Sequence, residues 1–144
     1  MEDKIIEAFH KARKLLEQNN HELSGLPTSV ITFLLVHGAQ GTIDNGGFRY
    51  FFGADWPNNP PYSQFIEAYK TIGCEAQAKE LERVVATFPF KNPHLYEEWR
   101  KKYMADNYDD EELEVKGWGE DLCGDEEVWA KLEEFYIENI QDFA

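Results

Sequence analysis

The amino-acid sequence predicts an all-α fold, a single-domain helical bundle of about six or seven helices. Apolar residues recur at intervals of three and four along most of the chain, which is the period of an amphipathic helix. Prolines and glycines separate these stretches, as is typical of helix boundaries. The chain has 144 residues, of which 42% are hydrophobic and 15% aromatic, and can therefore build one core.

The first two helices flank a short connector. Residues 2–18 place apolar side chains at helical spacing along one stripe, which predicts an amphipathic helix. Pro27 suits the first turn of a second helix over residues 28–39, because a helix leaves its first N–H groups unpaired. These residues are apolar on nearly every side. This pattern favours a buried helix, with a buried strand at residues 30–36 as the alternative.

Gly38 and Gly41 are expected to end this helix and to lead into the most unusual stretch of the chain, residues 43–52. That stretch sets two adjacent glycines, which tolerate positive φ, beside four aromatic residues. We predict a tight glycine turn from which a short aromatic helix enters the core, with Asp44 or Asn45 as its cap. A ligand loop that receives an anion is the alternative. The residues of this structural motif are Asn45, Gly46, Gly47, Phe48, Phe51 and Phe52.

Three further helices are predicted between residues 62 and 105. Residues 62–88 predict a helical hairpin that turns at Gly73, since glycine suits the left-handed conformation at a helix end. Pro93 starts another helix, in which the spacing predicts aromatic residues inside and charged residues outside. The residues expected inside are Leu95, Tyr96, Trp99 and Tyr103, and those expected outside are Glu97, Glu98, Arg100, Lys101 and Lys102.

The C-terminal part begins with residues 106–125, which are rich in acidic residues and glycine and show no clear period. A loop of this length inside a compact domain is usually functional or mobile. Asp125 is expected to cap the last helix, over residues 126–143. The residues expected to be buried there are Val128, Trp129, Leu132, Phe135, Tyr136, Ile140 and Phe143.

The net charge of −14, from 28 acidic and 14 basic residues, is distributed unevenly. Residues 1–104 hold 13 acidic and 12 basic residues, whereas residues 105–144 hold 15 acidic and 2 basic ones. Such asymmetry usually marks an interaction surface or a solvating tail. We therefore divide the single domain, 1–144, into an N-terminal helix and connector (1–26), a helical core (27–104) and an acidic loop with the C-terminal helix.

Motifs for catalysis and metal binding are absent from the sequence. There is no Gly-x-Ser-x-Gly, residues 38–42 lack the lysine of a phosphate-binding loop, and the four histidines are scattered. The acidic cluster fits no calcium-binding loop. We therefore expect no enzyme, no metal and no cofactor, and we interpret His37 as a core histidine.

The sequence also predicts the compartment. No apolar run reaches the ~20 residues that span a bilayer. The charged residues 1–4 lead directly into an amphipathic segment, which is unlike a signal peptide. Cys74 and Cys123 make no disulfide framework. A cytoplasmic protein without a membrane partner is expected.

The acidic residues of the last helix suggest a partner. Glu127, Glu134, Glu138 and Asp142 form one stripe, which spans about 22 Å at ~1.5 Å per residue. With two further glutamates the stripe holds about one charge per 4 Å, close to the ~3.4 Å between charges on one DNA strand. Direct nucleic-acid binding is disfavoured because the negative net charge of the chain repels phosphate. Mimicry of DNA by the carboxylates is physically feasible. The alternative is that the acidic face is only solvated and binds no partner. Residues that would extend the array are Asp109, Asp110, Glu111 and Glu112.

Four stretches carry a resemblance: Asn45-Gly46-Gly47-Phe48 followed by Tyr50-Phe51-Phe52, residues 68–73, residues 81–88 with Pro89, and residues 132–143 with Asn139. Together they resemble, over residues 27–144, a bacterial family of small acidic all-α domains whose named member is a DNA-mimic protein. The resemblance implies a helical fold without known catalysis, and for the mimic a dimer whose acidic surface binds a transcription factor. Tyr50 and Gly53 depart from the family pattern, in which glutamine and asparagine often stand. No acidic residue is carried over.

Three hypotheses for function follow. The first is an acidic protein-binding module that occupies the nucleic-acid site of a basic DNA-binding protein. The second is an immunity-type protein that neutralises a cognate toxin. The third is a small-molecule-binding protein or enzyme that uses the Gly46-Gly47 turn and His37.

Overall fold

The computed structural model describes residues 2–56, 58–107, 122 and 124–144. Within them the chain forms α-helices and two short 3₁₀-helices and contains no strand, so the predicted all-α bundle is confirmed. One cluster of buried apolar residues draws on all six helices. The helices are α1 (Glu2–Gln18), α2 (Thr28–Gly53), α3 (Tyr62–Thr71), α4 (Glu75–Val85), α5 (Glu97–Asn107) and α6 (Glu126–Glu138), and the 3₁₀-helices are Pro93–Leu95 and Ile140–Phe143.

Helix α2 is longer than predicted. It continues through Gly38 and Gly41, so the prediction that these glycines end it is wrong, and the strand alternative at residues 30–36 is excluded. Gly38 instead makes room for a neighbour, since a Cβ atom there would lie 2.9 Å from Cζ3 of Trp56. The glycine is therefore explained by packing, which a helix interior tolerates at a cost of about 1 kcal/mol.

The kink in α2 falls at the predicted glycine pair. Gly46 and Gly47 leave helical geometry, and Gly47 has φ 68° and ψ −167°, a region that essentially only glycine occupies. Beyond the kink Phe48, Phe51 and Phe52 are fully buried. Asn45, before the kink, is exposed. The short aromatic helix thus enters the centre of the core.

The aromatic helix organises its neighbours through ring contacts. The ring of Phe51 lies edge-on to Phe65 of α3 at a centroid distance of 5.2 Å, and that of Phe52 lies edge-on to Phe88 at 5.0 Å. Such edge-to-face pairs are favourable beyond the area that they bury. The hairpin of α3 and α4 packs here and turns at Gly73 (φ 94°), as predicted.

Helix α5 is oriented only in part as predicted: Glu98, Lys101 and Lys102 are exposed and Tyr103 packs against the core, but Arg100 is buried. Arg100 is only 2% exposed; its Nε donates to the carbonyl of Phe52 at 2.9 Å and its Nη1 to the carbonyl of Pro93 at 2.8 Å. The last carbonyls of a helix lack partners within it and carry the negative end of its dipole, so a guanidinium satisfies the end of α2. Turning Arg100 inward exposes residues that the apolar spacing had placed inside, namely Leu95, Tyr96 and Trp99.

The final helix begins and packs largely as predicted. The carboxylate of Asp125 accepts a hydrogen bond from the backbone N–H of Glu127 at 2.9 Å, so Asp125 is the cap. The helix ends at Glu138, and a 3₁₀-helix replaces its predicted last turn. Ile140 is exposed rather than buried because that turn does not continue the helical period. Of the predicted loop at 106–125, the first two residues belong to α5, and most of the others lie outside the described residues.

Candidate functional site

The outer surface of α6 carries a group of carboxylates that we name the acidic face: Glu126, Glu127, Glu133, Glu134 and Glu138. All are exposed except Glu133, which is half-buried. The opposite side of the helix buries apolar and aromatic residues, so the helix is amphipathic and its orientation is fixed. Ile137, 51% exposed, lies among the carboxylates.

The predicted acidic stripe is divided between two elements. Glu127, Glu134 and Glu138 lie on α6, but Asp142 lies in the following 3₁₀-helix and accepts a hydrogen bond from Ser29 Oγ at 2.8 Å. The helical spacing that joined Asp142 to the others does not hold beyond Asn139, where α6 ends. The remaining predicted residues, Asp109, Asp110, Glu111 and Glu112, lie outside the described part of the chain.

The acidic face has few described partners of opposite charge. Lys131 Nζ lies 3.7 Å from a carboxylate oxygen of Glu134, and both side chains are solvent-exposed, so this pair contributes little. Gln77 of α4 donates through Nε2 to Asp125 at 3.1 Å and to Glu127 at 3.2 Å. The face is therefore tied to α4 by a neutral amide and keeps its negative charge.

A single carboxylate of α2 holds the start of α6. Oδ1 of Asp44 accepts from the backbone N–H of Gly124 at 2.6 Å, and Oδ2 accepts from Nε1 of Trp129 at 2.9 Å. Hydrogen bonds to a charged acceptor are roughly twice as strong as neutral ones. Asp44 thus anchors both the residue before the cap and the first turns of the acidic helix.

A buried glutamine extends this anchor into the core. Gln40 is fully buried; its Nε2 donates to Asp44 at 2.8 Å and to the carbonyl of Leu122 at 2.7 Å. Its Oε1 accepts from the hydroxyl of Tyr69 at 2.9 Å, and burial raises the pKa of Tyr69 well above its usual value. The three polar side chains Tyr69, Gln40 and Asp44 therefore form a satisfied network that leads to α6.

The sequence offered a weak signal for this network. Gln40 and Asp44 are spaced by four residues, on the same side of a helix that is otherwise largely apolar. Polar side chains at such positions are hydrogen-bonded when buried, and their partners lie far away in the sequence. The residue type of Asp44 predicts only a local cap, and Gln40 lies outside every motif of the sequence.

The other end of α6 is held by α1. The hydroxyl of Tyr136 donates to a carboxylate oxygen of Glu7 at 2.6 Å. This hydrogen bond is the main cause that lowers the pKa of Glu7, and burial together with Glu7 raises the pKa of Tyr136 to about 12. Helix α6 is thus attached near both of its ends.

His37 packs among aromatic rings of three helices. Its ring stacks on Phe9 of α1 at 4.3 Å and lies edge-on to Trp129 of α6 at 5.5 Å. Burial lowers the pKa of His37, which favours the neutral ring. Its environment is that of a packed core histidine, as interpreted from the sequence.

Metal-binding and membrane-spanning features can be assessed in the same residues. No group of three or more His, Cys, Asp or Glu side chains in the described part of the chain could hold a metal ion. None of the helices described has the length and apolar character needed to cross a membrane. The thiol of Cys74 is buried, and burial raises its pKa to about 11, which disfavours the reactive thiolate at neutral pH.

Fold and site together define the class: a small all-α protein whose C-terminal helix displays carboxylates and is anchored to the core by a polar network. The family model for DMP19-like proteins matches residues 24–142. The chain therefore belongs to the DMP19-like family, whose name refers to DNA mimic protein 19. This match confirms the family that the Asn-Gly-Gly-Phe stretch indicates. Comparison with curated proteins and with solved structures gives no match.

Proposed function

We propose that the protein binds a basic DNA-binding protein through the acidic face and occupies the site that normally holds DNA. Membership of the DMP19-like family supports a DNA-mimic role and argues against catalysis. The observation that carries the proposal is the anchored acidic helix, because it presents carboxylates in a fixed array.

The spacing of the array supports mimicry. Helix α6 is about 18 Å long between residues 126 and 138, at ~1.5 Å per residue. Five carboxylates over this length give about one charge per 4 Å, against one per ~3.4 Å along a DNA strand. A partner that places Lys and Arg side chains to meet phosphates would meet carboxylates at a similar average density along the helix axis.

The anchoring of the array supports affinity. A surface that is already ordered loses less conformational entropy when it binds. Asp44 of α2 and Glu7 of α1 accept hydrogen bonds from Trp129 and Tyr136 of α6, so the carboxylates are presented on a fixed helix. Gln40 of α2 holds Leu122, which lies shortly before this helix. Hydrogen-bonded anchors inside the protein are also less sensitive to salt than the exposed charges that would contact the partner.

The test is capture from a lysate of the source organism at low and high salt, with identification by mass spectrometry. We expect a basic DNA-binding protein that high salt releases, since exposed charges are screened beyond about 10 Å at 0.1 M salt. A captured toxin without DNA-binding activity would instead support the immunity-type alternative. A complex insensitive to salt would contradict the proposal.

The acidic face is tested by a matched pair of triple variants. Replacing Glu127, Glu134 and Glu138 by Gln should leave folding intact, because like charges at i, i+4 repel, and should weaken the captured complex more than tenfold, which is more than 1.4 kcal/mol. The control replaces Glu67, Glu82 and Glu98, exposed residues of α3, α4 and α5, by Gln. Both triple variants therefore change the net charge from −14 to −11. Equal weakening by both sets would mean that the total charge matters and the acidic face does not. The homodimer that the resemblance implies stays a prediction.

A further inference from the structure

A cavity of about 400 Å³ lies where the connection from α2 to α3 meets the 3₁₀-helix Pro93–Leu95 and the start of α5. This volume is within the ~300–1,000 Å³ of small-molecule sites. The described lining includes no residue of α6, neither glycine of the Gly46-Gly47 turn and not His37. The cavity is therefore distinct from the acidic face and from the site that the third hypothesis places at the glycine turn.

Two hydrogen-bond donors of the lining have no acceptor in the described part of the chain. The first is the indole N–H of Trp56, whose Nε1 is buried. The Cζ3 corner of the ring, which is opposite Nε1, faces Gly38, so the N–H points away from α2. Buried donors are almost always hydrogen-bonded, and this one therefore calls for an acceptor that the described residues do not supply.

The second donor group is Nη2 of Arg100. This side chain is buried, and its described hydrogen bonds use only Nε and Nη1. A guanidinium has five N–H donors, of which Nη2 carries two. Burial and the charge of Arg100 lower the pKa of the neighbouring His94, which favours the neutral ring. A guanidinium and an indole N–H that line one cavity favour a negatively charged acceptor such as a carboxylate.

The same cavity also offers negative charge. Asp55 and Glu97 both line it, and their side chains interact with each other. Nζ of Lys101, which is outside the lining, lies 2.6 Å from a carboxylate oxygen of Glu97 and balances one of the two charges. One carboxylate charge is therefore in excess, and Asp55 is solvent-exposed and accessible to a cation.

We propose that this cavity binds a zwitterionic amino acid with an apolar side chain. Arg100 and the Trp56 N–H bind the carboxylate, Asp55 binds the ammonium group, and Leu95, which is 56% exposed, contacts the side chain. The guanidinium and the excess carboxylate charge sum to zero, as do the two charges of the ligand. The proposal does not depend on the acidic face, so either can fail without the other.

Three related probes separate the parts of this proposal. L-Leucine has both charges, L-leucinamide lacks the carboxylate, and 4-methylpentanoate lacks the ammonium group. Each is titrated into the ¹⁵N-labelled protein while the indole N–H signal of Trp56, assigned by its loss in Trp56→Phe, and the amide signal of Leu95 are followed. We expect leucine to move the indole signal downfield at millimolar concentration, because the N–H gains an acceptor. The other two probes should each bind at least roughly tenfold more weakly, because each loses one charged contact.

Matched variants locate the ammonium group. Asp55→Asn should weaken leucine severalfold but should not weaken 4-methylpentanoate, which has no ammonium group to lose a contact. Asp106→Asn makes the same change of charge at an exposed residue of α5 outside the lining and should affect neither probe. The same spectra report whether each variant is folded.

Three results would overturn the proposal. The first is an indole signal that leucine at millimolar concentration does not move, which would mean that water alone satisfies the two donors. The second is binding of leucinamide or 4-methylpentanoate as tight as that of leucine. The third is an equal effect of Asp55→Asn and Asp106→Asn on leucine.

Discussion

At the scale of single residues, Asp44 and Arg100 determine how the helices are attached. Each is a charged residue that makes hydrogen bonds to other elements: the carboxylate accepts from Gly124 and Trp129, and the guanidinium donates to the end of α2. Apolar spacing placed Arg100 outside and the capping preference of aspartate made Asp44 a local cap, and neither pattern has information on such distant partners. Charged residues that satisfy backbone groups are therefore the errors to expect from periodicity alone.

Replacing Asp44 by Ala should lower the free energy of unfolding by at least about 2 kcal/mol, because it removes the charged acceptor of N–H groups of Gly124, Trp129 and Gln40. Asn45→Ala is the matched control, since Asn45 is the exposed neighbour, and it should change stability by less than about 0.5 kcal/mol. Urea unfolding followed by circular dichroism measures both. A loss below 0.5 kcal/mol for Asp44→Ala would show that Asp44 does not anchor α6.

At the scale of elements, α2 shows what the sequence could and could not predict. Its burial, its start after Pro27 and the aromatic helix beyond the glycine pair follow from composition and spacing. The continuation of the helix through Gly38 and Gly41 could not be predicted from composition and spacing. A glycine either ends a helix or makes room for a neighbouring side chain, and which of the two applies depends on residues distant in the sequence. For Gly38 the neighbour is Trp56.

The glycines of α2 should respond to alanine with opposite signs. Gly47→Ala should destabilise the protein by about 1–3 kcal/mol, because its backbone lies in a region closed to other residues. Gly41→Ala should stabilise by roughly 0.5–1 kcal/mol, because a Cβ there meets no described atom within 4 Å and alanine favours the helix. Thermal and urea unfolding measure the stability of both variants. Destabilisation of equal size at both positions would contradict the claim that the kink specifically requires glycine at position 47.

At the scale of the whole molecule, the distribution of charge was the strongest functional signal in the sequence. The excess of acid in residues 105–144 pointed to an acidic surface, and the described part of that region displays it on α6. The predicted acidic stripe assumes one uninterrupted helix up to residue 143. Because α6 ends at Glu138, Asp142 lies in the following 3₁₀-helix and does not belong to the stripe. Periodicity located the helix well but could not locate the residue at which it ends.

The central claim is that the acidic face takes the place of DNA on its partner. The most direct measurement binds a fluorescent DNA duplex to the captured basic protein and follows its anisotropy while this protein is added. The account predicts that the duplex is released completely, and that the variant with Gln at 127, 134 and 138 releases it only at more than tenfold higher concentration, equivalent to about 1.4 kcal/mol. Anisotropy that rises, which indicates a ternary complex with DNA still bound, would contradict the claim.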